Sequence, residues 1–271
     1  MKRLLLAISS AVVALVLPGC LQSETTITLN KDGSGTLVEQ TTLGPQIMAM
    51  LSQFAALGGD PDADPLDEIF SEEKARAKAA SLGEGVTFEK SEPVGAGPNK
   101  GARVTYAFAD INKLKVTPGD TMKDISPVPG QAPAAAADVK PSTCNYADGT
   151  LTIVNPDPEK PDLAGVPADA EVPDIAGNPE MEAMMKEMLA DMKVSFKIVA
   201  PAGIEETNAT HRDGNTITLM EMEMGKLLEK PETFKKLAAV DQKDPAAAME
   251  ALKGLEGVKM EAKPKITVKL D

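Results

Sequence analysis

Met181, Met184, Met185, Met188 and Met192 recur at spacings of one, three and four residues, with Leu189 among them. On a helix this spacing gathers them on one face, leaving Glu180, Glu182, Lys186, Glu187 and Asp191 for the other. Methionine is flexible and polarizable, so such a stripe suits an apolar ligand or a partner of variable shape. Ile47, Met48, Met50, Leu51 and Phe54 give residues 45–57 a similar face. One reading is two soft helices over a groove; the other is ordinary core packed on a sheet.

The remaining chemical candidates are sparse. Cys144 and His211 are a conceivable nucleophile and base, but each sits beside its own Asp-Gly turn. A quiet thiol in a half-buried strand is the competing reading of Cys144. Asp60, Asp62 and Asp64 space three carboxylates as calcium loops do. Pro65 stands where such a loop needs glycine, and Ser71 where it needs a bidentate glutamate. That segment therefore reads as an acidic linker. There is no Gly-x-Ser-x-Gly elbow and no Walker loop. No catalytic set, metal centre or cofactor is expected.

Composition narrows the partners. The 271 residues carry a net charge of −13, so phosphate backbones are repelled and nucleic acid is excluded as a partner. Tryptophan is absent and only one histidine is present, which removes base-stacking platforms and multi-histidine metal sites.

The N-terminus gives an address. Lys2 and Arg3 precede the apolar run Leu4–Leu17, a secretory pattern too short for a comfortable membrane span. Leu17-Pro18-Gly19-Cys20 follows and resembles the lipobox of bacterial lipoproteins, in which the cysteine is acylated before cleavage. Pro18 departs from the alanine, serine or threonine usual at its position. An ordinary signal peptide with an incidental cysteine is the alternative. Residues 1–19 are thus expected to be removed, with Cys20 lipidated and residues 20–24 forming a tether on the order of 15 Å. Two or three acyl chains make a stable anchor where one does not. Leu21, in place of aspartate, favours the outer membrane. With Cys20 acylated, Cys144 has no disulfide partner.

Positioning falls to residues 25–271, expected as one envelope domain. Asp32-Gly33, Asp148-Gly149 and Asp213-Gly214 each precede a β-branched run, which predicts three hairpins at 25–42, 143–154 and 207–222. Further strands are expected at 86–92, 101–109, 194–199, 258–261 and 265–270. Helices are expected at 45–57, 71–82 and 179–192, with a shorter pair at 231–239 and 245–252. Proline-rich excursions fill about 117–141 and 155–178. Strands and helices in blocks argue α+β: an antiparallel sheet built from hairpins with helices packed on one face. Lys253, Lys259, Lys263, Lys265 and Lys269 make the C-terminus the most basic region, as a headgroup-facing patch or an edge strand guarded by lysines.

The lipobox, Asp32-Gly33-Ser34-Gly35, Tyr106-Ala-Phe-Ala-Asp-Ile111, and Val199-Ala-Pro-Ala-Gly-Ile204 leading to Thr207-Asn208-Ala209 together resemble uncharacterised bacterial envelope lipoproteins. More distantly the pattern is similar to the mycobacterial LppM-type lipoproteins. That resemblance implies an α+β membrane-facing domain and lipid binding, and carries over no catalytic residue. The expected function is a non-enzymatic binding or scaffold module on the membrane, with an envelope protein as partner. The alternatives are a carrier of an apolar ligand under the Met-rich helix, and an enzyme using Cys144 or an acid.

The denatured mass of the protein taken from its host membrane tests the address. It should match the 252 residues from Cys20 plus acyl chains, and Cys20→Ala should abolish both cleavage and acylation.

Overall fold

The computed structural model describes residues 21–57, 65–95, 97–116, 142–155, 189–230, 251–252 and 254–271. Within them, strand β1 (Leu21–Leu29) alternates buried and solvent-facing residues along its whole length. It pairs antiparallel with β2 (Gly35–Leu43) over nine residues, from Leu21↔Leu43 to Leu29↔Gly35. Its other edge pairs parallel with β7 (Lys193–Val199). The strand begins at Leu21 rather than near Thr25, so Leu21–Glu24, expected as a tether, belong to the sheet. Leu21 and Ser23 face inward and complete the alternation, which is the physical reason the strand extends that far.

The large sheet runs β11 (Val258–Met260), β10 (Thr216–Glu223), β7, β1, β2, β4 (Lys100–Phe108) and β3 (Val86–Val94), with β9 (Arg212–Asp213) beside β10. A second sheet has the order β5 (Thr143–Ala147), β6 (Thr150–Val154), β12 (Lys265–Leu270) and β8 (Ile204–Thr207). The helices bounded within the described residues are α1 (Pro45–Leu57), α2 (Pro65–Phe70), α3 (Glu72–Ser81) and α4 (Met224–Leu228), with a 3₁₀ turn at Ile111–Lys113. Among the described residues the fold is therefore mostly β, in two sheets, and the α+β expectation is corrected. The second sheet takes the place expected for helices. Its Leu151, Ile153, Ile266 and Val268 join one core with Ile27, Ile198 and Ile217 of the large sheet. Burying β-branched side chains from two facing sheets is what holds such layers together.

All three Asp-Gly turns close hairpins. Asp148 (φ 50°) and Gly149 (φ 74°) make the two-residue turn with positive φ at both positions that suits a hairpin's twist. The β1–β2 turn is also the knot between layers. Gly33 O accepts from Ile111 N–H at 2.9 Å, and the Tyr146 hydroxyl of β5 donates to Lys31 O at 2.7 Å. Asn112 then acts as a surrogate strand residue: its Oδ1 accepts from Tyr146 N–H at 2.5 Å and its Nδ2 donates to Tyr146 O at 3.2 Å. Gly35 admits no side chain, because a Cβ there would lie 1.9 Å from Thr28 O.

β12 alternates as expected, with Ile266, Val268 and Leu270 inside. It lies between β6 and β8, so its lysines do not guard an edge. Lys269 pairs with Glu205 at 2.8 Å, and Lys259 with Glu221 at 2.7 Å. The large sheet's outer face carries other cross-strand pairs, including Lys197–Glu24 at 3.2 Å. The helices expected at 231–239 and 179–192, and the proline-rich excursions, lie outside the described residues apart from short ends. No helix among the described residues is long and apolar enough to cross a membrane.

Glu223 sits between two lysines, pairing with Lys193 at 2.8 Å and with Lys226. Hydrogen bonds from Lys193, and then from Lys226, push its carboxyl from 4.5 down to about 2. A depressed carboxylate stabilises the fold above its unfolded value, and that contribution is lost as pH falls from 4.5 through about 2. The urea midpoint should therefore favour the parent over Glu223→Gln at pH 6, with the gap closing towards pH 2. A constant gap would place the effect elsewhere.

Candidate functional site

Leu37, Glu39, Thr41 and Leu43 of β2 all face inward, because residues two apart share a side of the sheet. Register places Thr41 opposite Ser23, and Glu39 opposite Thr25. These four side chains are all buried. They form a polar belt across β1 and β2, with Ile27, Leu29 and Leu37 of the main core on one side. On its other side is a separate apolar cluster of Leu21, Leu43 and Leu51.

A cavity of about 440 Å³ stands on this belt. Its floor is Glu39 and Thr41 of β2 with Ala102, Val104 and Tyr106 of β4; its roof is Ile69 and Phe70 of α2 with Ala75, Lys78 and Ser81 of α3. Phe70 packs against both apolar clusters and so bridges the belt. Lys78 Nζ meets Glu39 Oε2 at 2.8 Å, with the two side chains 20 % and 7 % exposed. Burying this pair carries a desolvation cost that works against its mutual attraction.

Local sequence explains the roof. Ser71 caps α3 by accepting from Lys74 N–H at 3.3 Å, and Glu72 and Glu73 suit the positive end of the helix. Ala75 and Ala79 are buried and small, which brings the helix close to the sheet. Arg76 lies 4.7 Å over the Phe88 ring, and Phe88 meets Tyr106 edge-on with centroids 6.3 Å apart. This stack fastens α3 to β3 and β4.

Cys144 lies in β5, and burial pushes its thiol up to about 11, so it is protonated at neutral pH. The small space beside it is lined by Ile27, Leu114, Val116, Ser142, Phe196, Ile198 and Leu219, which include no base. His211 is not among them. Of the methionine stripe, Met192 is described: it packs against the Leu21–Leu43–Leu51 cluster together with Ile47 and Met48 of α1. Met181, Met184, Met185 and Met188 lie outside the described residues, as do Cys20, Asp60, Asp62, Asp64 and the side chains of Met50 and Phe54. Among the described residues no group of three His, Cys, Asp or Glu could hold a metal.

Sequence reasoning missed Glu39 and Lys78. The signal was present in the hairpin: counting from Asp32-Gly33 pairs Leu37 with Ile27 and turns Glu39 inward two residues later. Lys78 is one of two lysines on α3, and only the packing of that helix singles it out.

No protein-family description matches the chain, and no curated protein matches it. Among solved structures, the NMR structure of the Mycobacterium tuberculosis LppM folded domain is similar at a TM-score of 0.33 and 12% identity. The match covers 78% of this chain and 88% of that one. The likeness is weak, and the geometry above stands without it.

Lys78→Met should remove the cation that faces buried Glu39, lowering unfolding stability by about 3 kcal/mol. Lys74→Met, at an exposed position one turn earlier on the same helix, should change it by under about 0.5 kcal/mol. Chemical denaturation of the two variants reads the difference, and equal losses would show that the pair is not what matters.

Proposed function

We propose that this chain is a bacterial envelope lipoprotein, anchored through Cys20, whose domain is a non-enzymatic binding module with its ligand site beneath α2 and α3. The cavity on the polar belt carries the reading. Its volume of about 440 Å³ lies within the range of small-molecule sites. Ile69, Phe70, Ala75 and Val104 offer apolar walls, while Glu39, Lys78 and Ser81 offer a few convergent polar groups. That mixture suits a small amphipathic ligand. Inward-facing polar residues are a poor choice for stability alone, and a ligand that uses them gives them a purpose.

Binding without catalysis is supported by the protonated thiol of Cys144 and the apolar surroundings that keep it so. The anchor is supported by Lys2, Arg3, the apolar run and the lipobox-like Leu17–Cys20. An outer-membrane location is part of the proposal, on the residue after the cysteine.

A second reading extends the site to an apolar ligand carried beneath the Met-rich segment. It is favoured by the packing of Met192 with Ile47, Met48 and Leu51, since the stripe's end meets the α1 cluster beside the cavity. Under that reading Met181, Met184, Met185 and Met188 contribute the ligand-facing side.

The test is native mass spectrometry of protein purified from its own envelope, parent against Ser81→Phe. Ser81 lines the cavity from an exposed helix position, so phenylalanine enters that space without displacing core. The parent should carry a non-covalent adduct that Ser81→Phe lacks while remaining folded. An adduct that survives in the variant places the ligand elsewhere, and a parent with none removes the binding reading.

A further inference from the structure

The end of the domain at Leu21 is a surface that the binding site does not use. Leu21 is buried in the cluster formed with Leu43 and with Leu51 of α1. Cys20 is the next residue towards the N-terminus, and consecutive Cα atoms are about 3.8 Å apart. Any acyl group on Cys20 therefore leaves the protein beside α1, with no slack between anchor and fold, because β1 has absorbed the residues that would supply it.

The surface at that end is unusual in charge. From Gln40 to Gly59 there are 20 consecutive residues without a charged side chain, in a chain where 25% are charged. α1 lies wholly within this run. Among its described side chains, Pro45, Gln46, Ala49, Ser52 and Gln53 are exposed. Charged side chains resist leaving bulk water, so a charge-free face is the one that approaches headgroups and glycerol at least cost.

We propose that α1 rests on the bilayer, so that the domain stands with its α1 end on the membrane and the β1–β2 turn pointing away. The proposal rests on the lipoprotein reading above. The contact is shallow: a helix of 13 residues is too short to span, and it carries no charged side chain. It is also non-electrostatic, since the acids Asp60, Asp62, Asp64, Asp67 and Glu68 follow α1 in sequence. Anionic lipid and low salt should not strengthen it. The cavity, roofed by α2 and α3, then lies on the membrane-proximal side of the domain, since α2 shares the apolar cluster of α1.

The protein's lack of tryptophan makes a clean probe. Ala49→Trp reports the face of α1, Gln53→Trp repeats it one turn on, and Lys31→Trp reports the far turn, a strand's length of about 26 Å away. Each variant is purified as the mature membrane form, its acylation read from its intact mass, and reconstituted in phosphatidylcholine vesicles with brominated chains. Emission from Ala49→Trp and Gln53→Trp should shift to the blue and be quenched, with Lys31→Trp unaffected in both respects. Acylated, vesicle-bound chain with all three equally unquenched would overturn the orientation. So would quenching at Lys31→Trp alone, or α1 probes shielded from aqueous iodide but not reached by bromine, which would mean that a protein surface covers them. An intact mass without acyl chains would instead overturn the lipoprotein reading beneath it.

Discussion

The pairing of β1 along both edges governs the molecule. One strand of nine residues, hydrogen-bonded antiparallel to β2 and parallel to β7, sets which side chains of the large sheet face inward. A slip of one residue would turn Ile27 and Leu29 to solvent and bring Glu24 and Thr26 into the core. The turn that ends β1 is pinned by Ile111, Asn112 and Tyr146, so the same strand also fixes where the second sheet sits. Core, cavity floor and chain entry all follow from that one register.

Its consequence for function is the polar belt. An inward row of Leu21, Ser23, Thr25, Ile27 and Leu29 is apolar at both ends and polar in the middle. β2 repeats the pattern with Leu37, Glu39, Thr41 and Leu43. Two apolar clusters result instead of one, and the cavity forms where they fail to merge. α3 covers the gap but does not fill it, since it brings no large apolar side chain there, only alanines, a serine and two lysines, one of them drawn to Glu39. The polar pair ties the roof to the floor, and the apolar walls are what the proposed ligand would meet.

Much of the scaffold was legible in the sequence. Asp-Gly followed by β-branched residues marks all three hairpins, because positive φ at the turn is a local requirement that few residues meet. The bounds of α1 and α3 were legible for similar reasons: Pro45 suits a first turn, and Ser71 with Glu72 and Glu73 suits a capped start. The two-sheet arrangement was not legible. Whether β5, β6, β8 and β12 extend the first sheet or stack upon it depends on side chains meeting across more than a hundred residues, as Tyr146 meets Lys31. The site was missed for the same reason. Glu39 looks like a solvent-facing strand residue until the hairpin register is applied, and Lys78 looks like any helix lysine until α3 is laid on the sheet. The methionine stripe, by contrast, is conspicuous in sequence, and its one described member, Met192, packs against the apolar cluster beside the cavity.

The central claim is that the belt is kept polar for a ligand and not for the fold. It is tested most directly by the native mass spectrum of Glu39→Leu/Lys78→Met, isolated from the envelope. Replacing both members of a buried ion pair with apolar groups of similar size is commonly neutral or stabilising. The account therefore predicts the narrow charge-state distribution of a compact chain, without the adduct. A compact double variant that still carries the adduct would contradict it.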